Sequence, residues 1–285
     1  MKLLLAILVI VACPFTGIAE VAPFICGGTP QARKITEAST EPLPAEGHRS
    51  VFVIFGKFRG EAPADSTAPA YAQDFFNLDR PGSVTHFYNE MSFGRLQIDG
   101  VVLPKVYEAN GVAGDYTTPN PKTGIGEFGR FNEEVLKKVD ADVDFGDFDN
   151  DGPDGLPNSG DDDGYVDFIF INLRSVPTGF FIGTASGFAA LGFQEDVITN
   201  DEGKNGGQIR IHGMATGQGG TTQRVTGFSD AVGSMAHEFG HTLGLPDLFD
   251  QSFLTNPGQN LEEDSAGVGG WDLMARGTLG WNGTG

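Results

Sequence analysis

Two histidines four residues apart, a glutamate between them and an aspartate six residues past the second carry the clearest chemistry in this sequence: His237, Glu238, His241 and Asp247. On a helix, positions i and i+4 lie about 6 Å apart along the axis and project from one side, so both imidazoles can reach one zinc ion. Glu238 lies next to them, where its carboxylate can meet a zinc-bound water. Gly244 is the first residue after Leu243, placed to end the helix in a left-handed conformation that glycine adopts without a Cβ penalty. Pro246 then prevents a helical restart, and Asp247 is near enough to swing back as a third ligand. The pattern His-Glu-x-x-His-x-x-Gly-x-x-Asp fixes five residue types and is far more specific than His-Glu-x-x-His alone. The bland alternative is a pair of surface histidines on an amphipathic helix.

That chemistry demands a helix beneath it. Val232, Ala236, Phe239 and Leu243 recur at helical spacing, giving one face to bury. Ser229 is placed to cap the first turn, and Asp230 lies where the helix dipole favours an anion.

The stretch HEFGHTLGLPDLFD, residues 237–250, resembles the signature of the immune inhibitor A peptidases, bacterial zinc metalloproteases related to the metzincins. The resemblance implies zinc ligands at His237, His241 and Asp247 and a general base at Glu238. Trp271-Asp272-Leu273-Met274 is similar to the Met-turn of that family, which would put Met274 under the zinc. Similarity extends to Ser83–Ile98 and to the Asp-rich run ending at Tyr165-Val166-Asp167, and so touches most of the chain from about Val51 onward.

The expected activity is secreted, zinc-dependent endopeptidase cleavage of protein or peptide substrates. Three protein ligands would leave a fourth position for a water whose pKa zinc lowers to around 7. Glu238 would take its proton and pass it to the leaving amine. A neighbouring zinc arrangement would draw its third ligand from Glu262 or Glu263, although loop-like sequence brackets both. From another class, the chain would be a calcium-stabilised surface or adhesion module with a vestigial protease-like domain; an intact Glu238 argues against that. His86 and His212 are expected to be structural, and His48 is uninformative.

With 38 acidic against 18 basic residues the formal net charge is −20, which repels nucleic acid and anionic membranes and attracts divalent cations. Met1–Ala19 reads as an export signal whose apolar run is too short to span a bilayer. Its cleavage after Ala19 competes with a lipobox-like Ile10-Val11-Ala12-Cys13, which would leave a lipid anchor on Cys13; plain secretion is the expectation. The two cysteines, Cys13 and Cys26, exclude a disulfide framework. A Cys26 thiolate reaching the zinc as a latency plug is the alternative to the expected reading, an incidental residue in a pro-segment.

Ten aspartates fall between positions 142 and 167. Asp147-x-Asp149-x-Asp151-Gly152 copies the start of a calcium loop, but Asn158 stands where a bidentate glutamate would close it. Asp161, Asp163 and Asp167 are the expected completing ligands of a structural Ca2+ site; a solvated acidic loop is the alternative.

Elsewhere, 51–55 reads as a buried strand, 83–91 as a short helix capped by Ser83 with Val84, Phe87 and Met91 on one face, and 96–102 as a strand with a turn, with a hairpin as the form such a turn would take. A helix is expected from about Gly126 to Val139, a central strand over 165–171 and an edge strand over 209–212. The predicted fold class is α/β, mixed α+β: a twisted mixed sheet, a backing helix and the active-site helix, in the metzincin-like form the resemblance implies. The expected organisation is a signal peptide at 1–19, a linker or pro-segment at 20–47 and a catalytic domain at 48–285, C-terminally incomplete because Gly285 follows so soon after Met274.

Overall fold

The computed structural model describes Cys26 and residues 42–62, 64, 66–214, 219–249, 267–275 and 277–279. The export segment with Cys13, the 20–41 stretch apart from Cys26, and Glu262 and Glu263 lie outside the described residues. Along these run β1 (Gly47–Lys57), α1 (Val84–Met91), β2 (Leu96–Glu108), α2 (Phe128–Val139), β3 (Ile169–Leu173), β4 (Gly187–Phe188), β5 (Val197–Glu202), β6 (Gln208–Ile211), β7 (Gly220–Arg224) and α3 (Phe228–Thr242).

Side-chain alternation along β1 explains the layering. Phe52 and Ile54 face one way, into a core completed by Phe128, Phe131, Val135 and Val139 of α2. Val51, Val53 and Phe55 face the other way, into a second core with Val84 and Tyr88 of α1 and Met235, Ala236 and Phe239 of α3. A strand buried on both faces has no polar side to show, which is why 51–55 is continuously apolar. The sheet is mixed, in the order β2-β1-β3-β7-β4: β2, β1, β3 and β7 run parallel, and β4 pairs antiparallel with β7 at the edge. β5 and β6 form a separate antiparallel ribbon. The twisted mixed sheet with α2 on one face and α3 on the other is the predicted α/β architecture.

Several local expectations are corrected. The 96–102 stretch is no hairpin; it opens β2, which runs parallel to β1 from Gly47↔Leu96 onward. Asp99-Gly100 resembles a turn because Gly100 must be small for another reason: the Phe76 ring lies where its Cβ would stand. On α1 the buried side chains are Val84, Thr85 and Tyr88, while Met91 is 64% exposed. Helix α2 starts at Phe128, after Gly126, whose N–H donates to the Phe181 carbonyl. β3 starts at Ile169, because Val166 and Tyr165 are engaged with Arg210 of β6. Ser83 does cap α1, accepting from the His86 N–H at 3.0 Å.

Candidate metal centre

Helix α3 follows directly from β7 and packs under the sheet. Its N-cap is Gly227, not Ser229, and no side chain caps it in the usual way. Instead Asp230 reaches back, accepting from the Thr226 N–H at 2.7 Å and the Thr226 hydroxyl at 2.8 Å. Burial of Met235 and Phe239 is worth roughly 1.5–3 kcal/mol each and anchors the helix to the sheet. Tyr88 of α1 adds a buried hydroxyl bond to the Ala236 carbonyl at 2.6 Å. Burial raises the Tyr88 pKa, so the phenol stays protonated and keeps donating.

The helix stops as its sequence demands. Gly244 has φ +88°, the Leu245 N–H donates to the Gly240 carbonyl and the Gly244 N–H to the His241 carbonyl. These paired bonds are a Schellman cap, which needs a residue without a Cβ at the left-handed position. The reversal returns the chain across the last turn of α3 and delivers Asp247 to the two imidazoles.

Asp247 Oδ1 lies 3.2 Å from His237 Nε2 and 3.3 Å from His241 Nε2, with all three side chains buried. A tetrahedral cation with bonds of about 2.0–2.1 Å to nitrogen and oxygen has ligand–ligand edges of about 3.3–3.4 Å. Each imidazole is held at its other nitrogen: His237 Nδ1 by the Leu273 carbonyl at 2.7 Å, His241 Nδ1 by the Leu245 carbonyl at 2.8 Å. A carbonyl only accepts, so each Nδ1 carries a proton, and in the neutral ring Nε2 then presents its lone pair inward.

Glu238 is fully buried, and Oε1 has no hydrogen-bond partner among the described residues. Burial pushes its pKa up to about 7, against the opposing pull of His237 and His241. Burial also works against ionising Asp247, but hydrogen bonds and charge from the two histidines outweigh it and hold that carboxyl well below the usual range. His241 is raised: desolvation opposes its charge, and Asp247 and Glu238 more than compensate. A buried group of two imidazoles and two carboxylates is a poor arrangement without a cation.

Met274 lies beneath the helix. Its sulfur would stand 2.8 Å from a Cβ at Gly240, so the thioether fills the space that this glycine leaves between the two histidines. The Met274 carbonyl accepts from the Leu248 N–H at 2.8 Å, tying the 272–275 turn to the segment carrying Asp247. The fourth residue of the cluster is Cys26. Expected to be incidental, it is instead buried, its sulfur 3.3 Å from His241 Nε2 and 3.7 Å from Glu238 Oε2. His86 and His212 stand apart: the first lies in the opening turn of α1, the second stacks on Tyr165. His48 pairs with Asp99.

In the acidic segment, Asp149, Asp151 and Asp167 bring carboxylate oxygens within 4.8 Å of one another; Asp147, Asp161 and Asp163 are not part of that group. Asp161 bonds to the Ser159 hydroxyl and the Asp154 N–H, and Asp163 to the Tyr165 N–H. Asn158 pins the loop to the ribbon, donating to the Glu202 carbonyl and accepting from the Lys204 N–H. Sequence reasoning passed over Asp162, which accepts from the Gly152 and Ser159 N–H groups and shapes the loop.

A family model for the catalytic domain of immune inhibitor A, peptidase M6, matches residues 70–285. The chain belongs to that family. An Immune inhibitor A from Bacillus thuringiensis subsp. alesti is 27% identical over 227 residues, covering 73% of this chain and 31% of the relative. The match therefore spans about a third of that relative's length. Residues 70–285 thus fall in a family of peptidase catalytic domains, and Cys26, His237, His241 and Asp247 form a group that could hold a metal ion. Its mixed α/β fold is consistent with the metzincin-like form expected. Among the described residues no helix is long and apolar enough to cross a membrane.

Proposed function

We propose that the chain is an exported zinc-dependent endopeptidase in which His237 Nε2, His241 Nε2 and Asp247 Oδ1 hold the ion and Glu238 carries the proton. The observation behind this reading is the pair of edges at 3.2 and 3.3 Å from Asp247 to imidazoles already fixed at Nδ1. Bound there, zinc supplies a Lewis acid that polarises the scissile carbonyl and acidifies the attacking water. The protein's residues supply the rest. Glu238, next to His237 on α3 and fully buried, has an Oε1 without a hydrogen-bond partner among the described residues. Burial raises its pKa to about 7 in the metal-free site, and it would take the water's proton at neutral pH. Returning that proton to the amine nitrogen lets the leaving group depart neutral, and no covalent bond to the protein is required.

Glu238→Gln tests this directly: the variant keeps one zinc per chain while peptide turnover falls by about 10²- to 10⁴-fold. Full activity in that variant would end the proposal. Digestion of casein or gelatin, suppressed by a zinc chelator, separates a peptidase from an adhesion module that merely keeps the frame.

A structural calcium ion on Asp149, Asp151 and Asp167 belongs to the same proposal. Asp149 is buried and its Oδ1 has no hydrogen-bond partner among the described residues, so an oxygen-seeking cation has a ligand waiting. Export rests on the apolar run near Met1, and cleavage of that segment on secretion is checked by N-terminal analysis of exported protein.

A further inference from the structure

We infer that Cys26 is a fourth protein ligand of the same metal and keeps the site closed to substrate. The inference rests on the three-ligand reading above and extends it. Ligand atoms of Cys26, His237, His241 and Asp247 all lie within 4.8 Å of one another, and the cysteine is 2% exposed. Among the described residues it forms no disulfide. The sulfur lies 215 positions from His241 in sequence yet 3.3 Å from its Nε2, so no local constraint forces the meeting. Glu238 is a second observation at the same place: its Oε1 is buried and without a hydrogen-bond partner among the described residues, and its Oε2 lies 3.7 Å from the Cys26 sulfur. A parallel backbone bridge joins Cys26 to Gly187 of β4, the edge strand of the sheet.

Two consequences join here. A zinc ion held by four protein groups has no position left for water, which distinguishes closed sites from catalytic ones. Cys26, bridged to Gly187, also occupies that position of the sheet edge, where an extended peptide would otherwise pair by adding a strand. On coordination the thiol gives up its proton, and Glu238 Oε2 at 3.7 Å is a nearby acceptor, occupying the general base as well.

The test uses the full chain with Cys13→Ser, which leaves Cys26 as its one thiol. Loaded with cobalt(II), this chain shows a sulfur-to-cobalt charge-transfer band; adding Cys26→Ser abolishes the band while one cobalt per chain remains. In the zinc-loaded Cys13→Ser chain a thiol reagent reacts at least about ten-fold more slowly than after chelation, because the coordinated sulfur is not available as a nucleophile. Casein cleavage rises at least about ten-fold in the Cys26→Ser chain, where water can enter the fourth position. One cobalt per chain without a sulfur band, or a thiol equally reactive with and without metal, overturns the inference and leaves the three-ligand reading standing. No metal bound by either chain overturns both.

Discussion

Each histidine of the cluster is committed at Nδ1, and that commitment decides what Nε2 can do. The pairing of His237, Glu238, His241 and Asp247 was legible because the first three share one helical turn and the fourth follows a glycine-dependent cap. Local spacing reports local geometry. The Leu273 carbonyl and Cys26, 36 positions from His237 and 215 from His241, leave no such trace. Two glycines on α3 show how single residues set the packing here. A Cβ at Gly233 would run into the backbone carbonyl of Thr278, which cannot move without displacing its turn. A Cβ at Gly240 meets only the flexible end of Met274 and, at 3.5 Å, Leu245. Alanine gains about 1 kcal/mol of helix propensity over glycine, whereas overpacking costs about 1–3 kcal/mol. Gly233→Ala should therefore be clearly destabilised in urea unfolding and Gly240→Ala nearly neutral; the reverse ranking would refute the packing described.

Elements were legible where their pattern is one-sided and obscure where a distant partner decides. The α2 stripe of Phe128, Phe131, Val135 and Val139 is buried as its 3.6-residue period requires. The start of β2 read as a hairpin because nothing local reveals that its partner is β1. The acidic loop poses a different question, of charge. Burial, then the neighbouring Asp162, Asp163, Asp151 and Asp167, push Asp149 up to about 7; burial dominates in raising Asp167 to about 7. Both groups start from 3.8, so the metal-free folded state binds more protons than the unfolded chain between these limits. Their contribution to stability is complete below about pH 3.8 and is lost as pH rises through about 7. Calcium should restore it, since the cation favours the ionised carboxylates. Thermal melts should show calcium raising Tm above pH 7 and having little effect near pH 4, with Asp149→Asn abolishing the difference. A calcium effect of equal size at both ends would refute the crowding.

At the scale of the whole molecule, one sheet separates two cores: α2 holds one face, α1 and α3 the other, and the histidine–aspartate cluster sits at the far end of α3. The continuous apolar runs of β1 and β3 announced a doubly covered sheet, but not the order of strands, which depends on crossovers that no residue pattern states. Zinc bound to the folded chain and not to the unfolded one stabilises by RT ln(1 + [L]/Kd), about 2.7 kcal/mol at a hundredfold excess over Kd. In a domain of this size each kcal/mol moves Tm by about 2–4 °C. Chelation from that state should lower Tm by about 5–10 °C, read by circular dichroism, and an unchanged melt would remove the metal from the fold's stability.

The carbonyl that steadies His237 belongs to Leu273, in a turn formed well after α3 has ended. A chain in which that turn has not docked lacks this hold on the ring, and under the three-ligand reading would capture its ion more weakly. On the three-ligand reading, tight metal uptake thus becomes a timekeeper, signalling that the 272–275 turn has arrived in place.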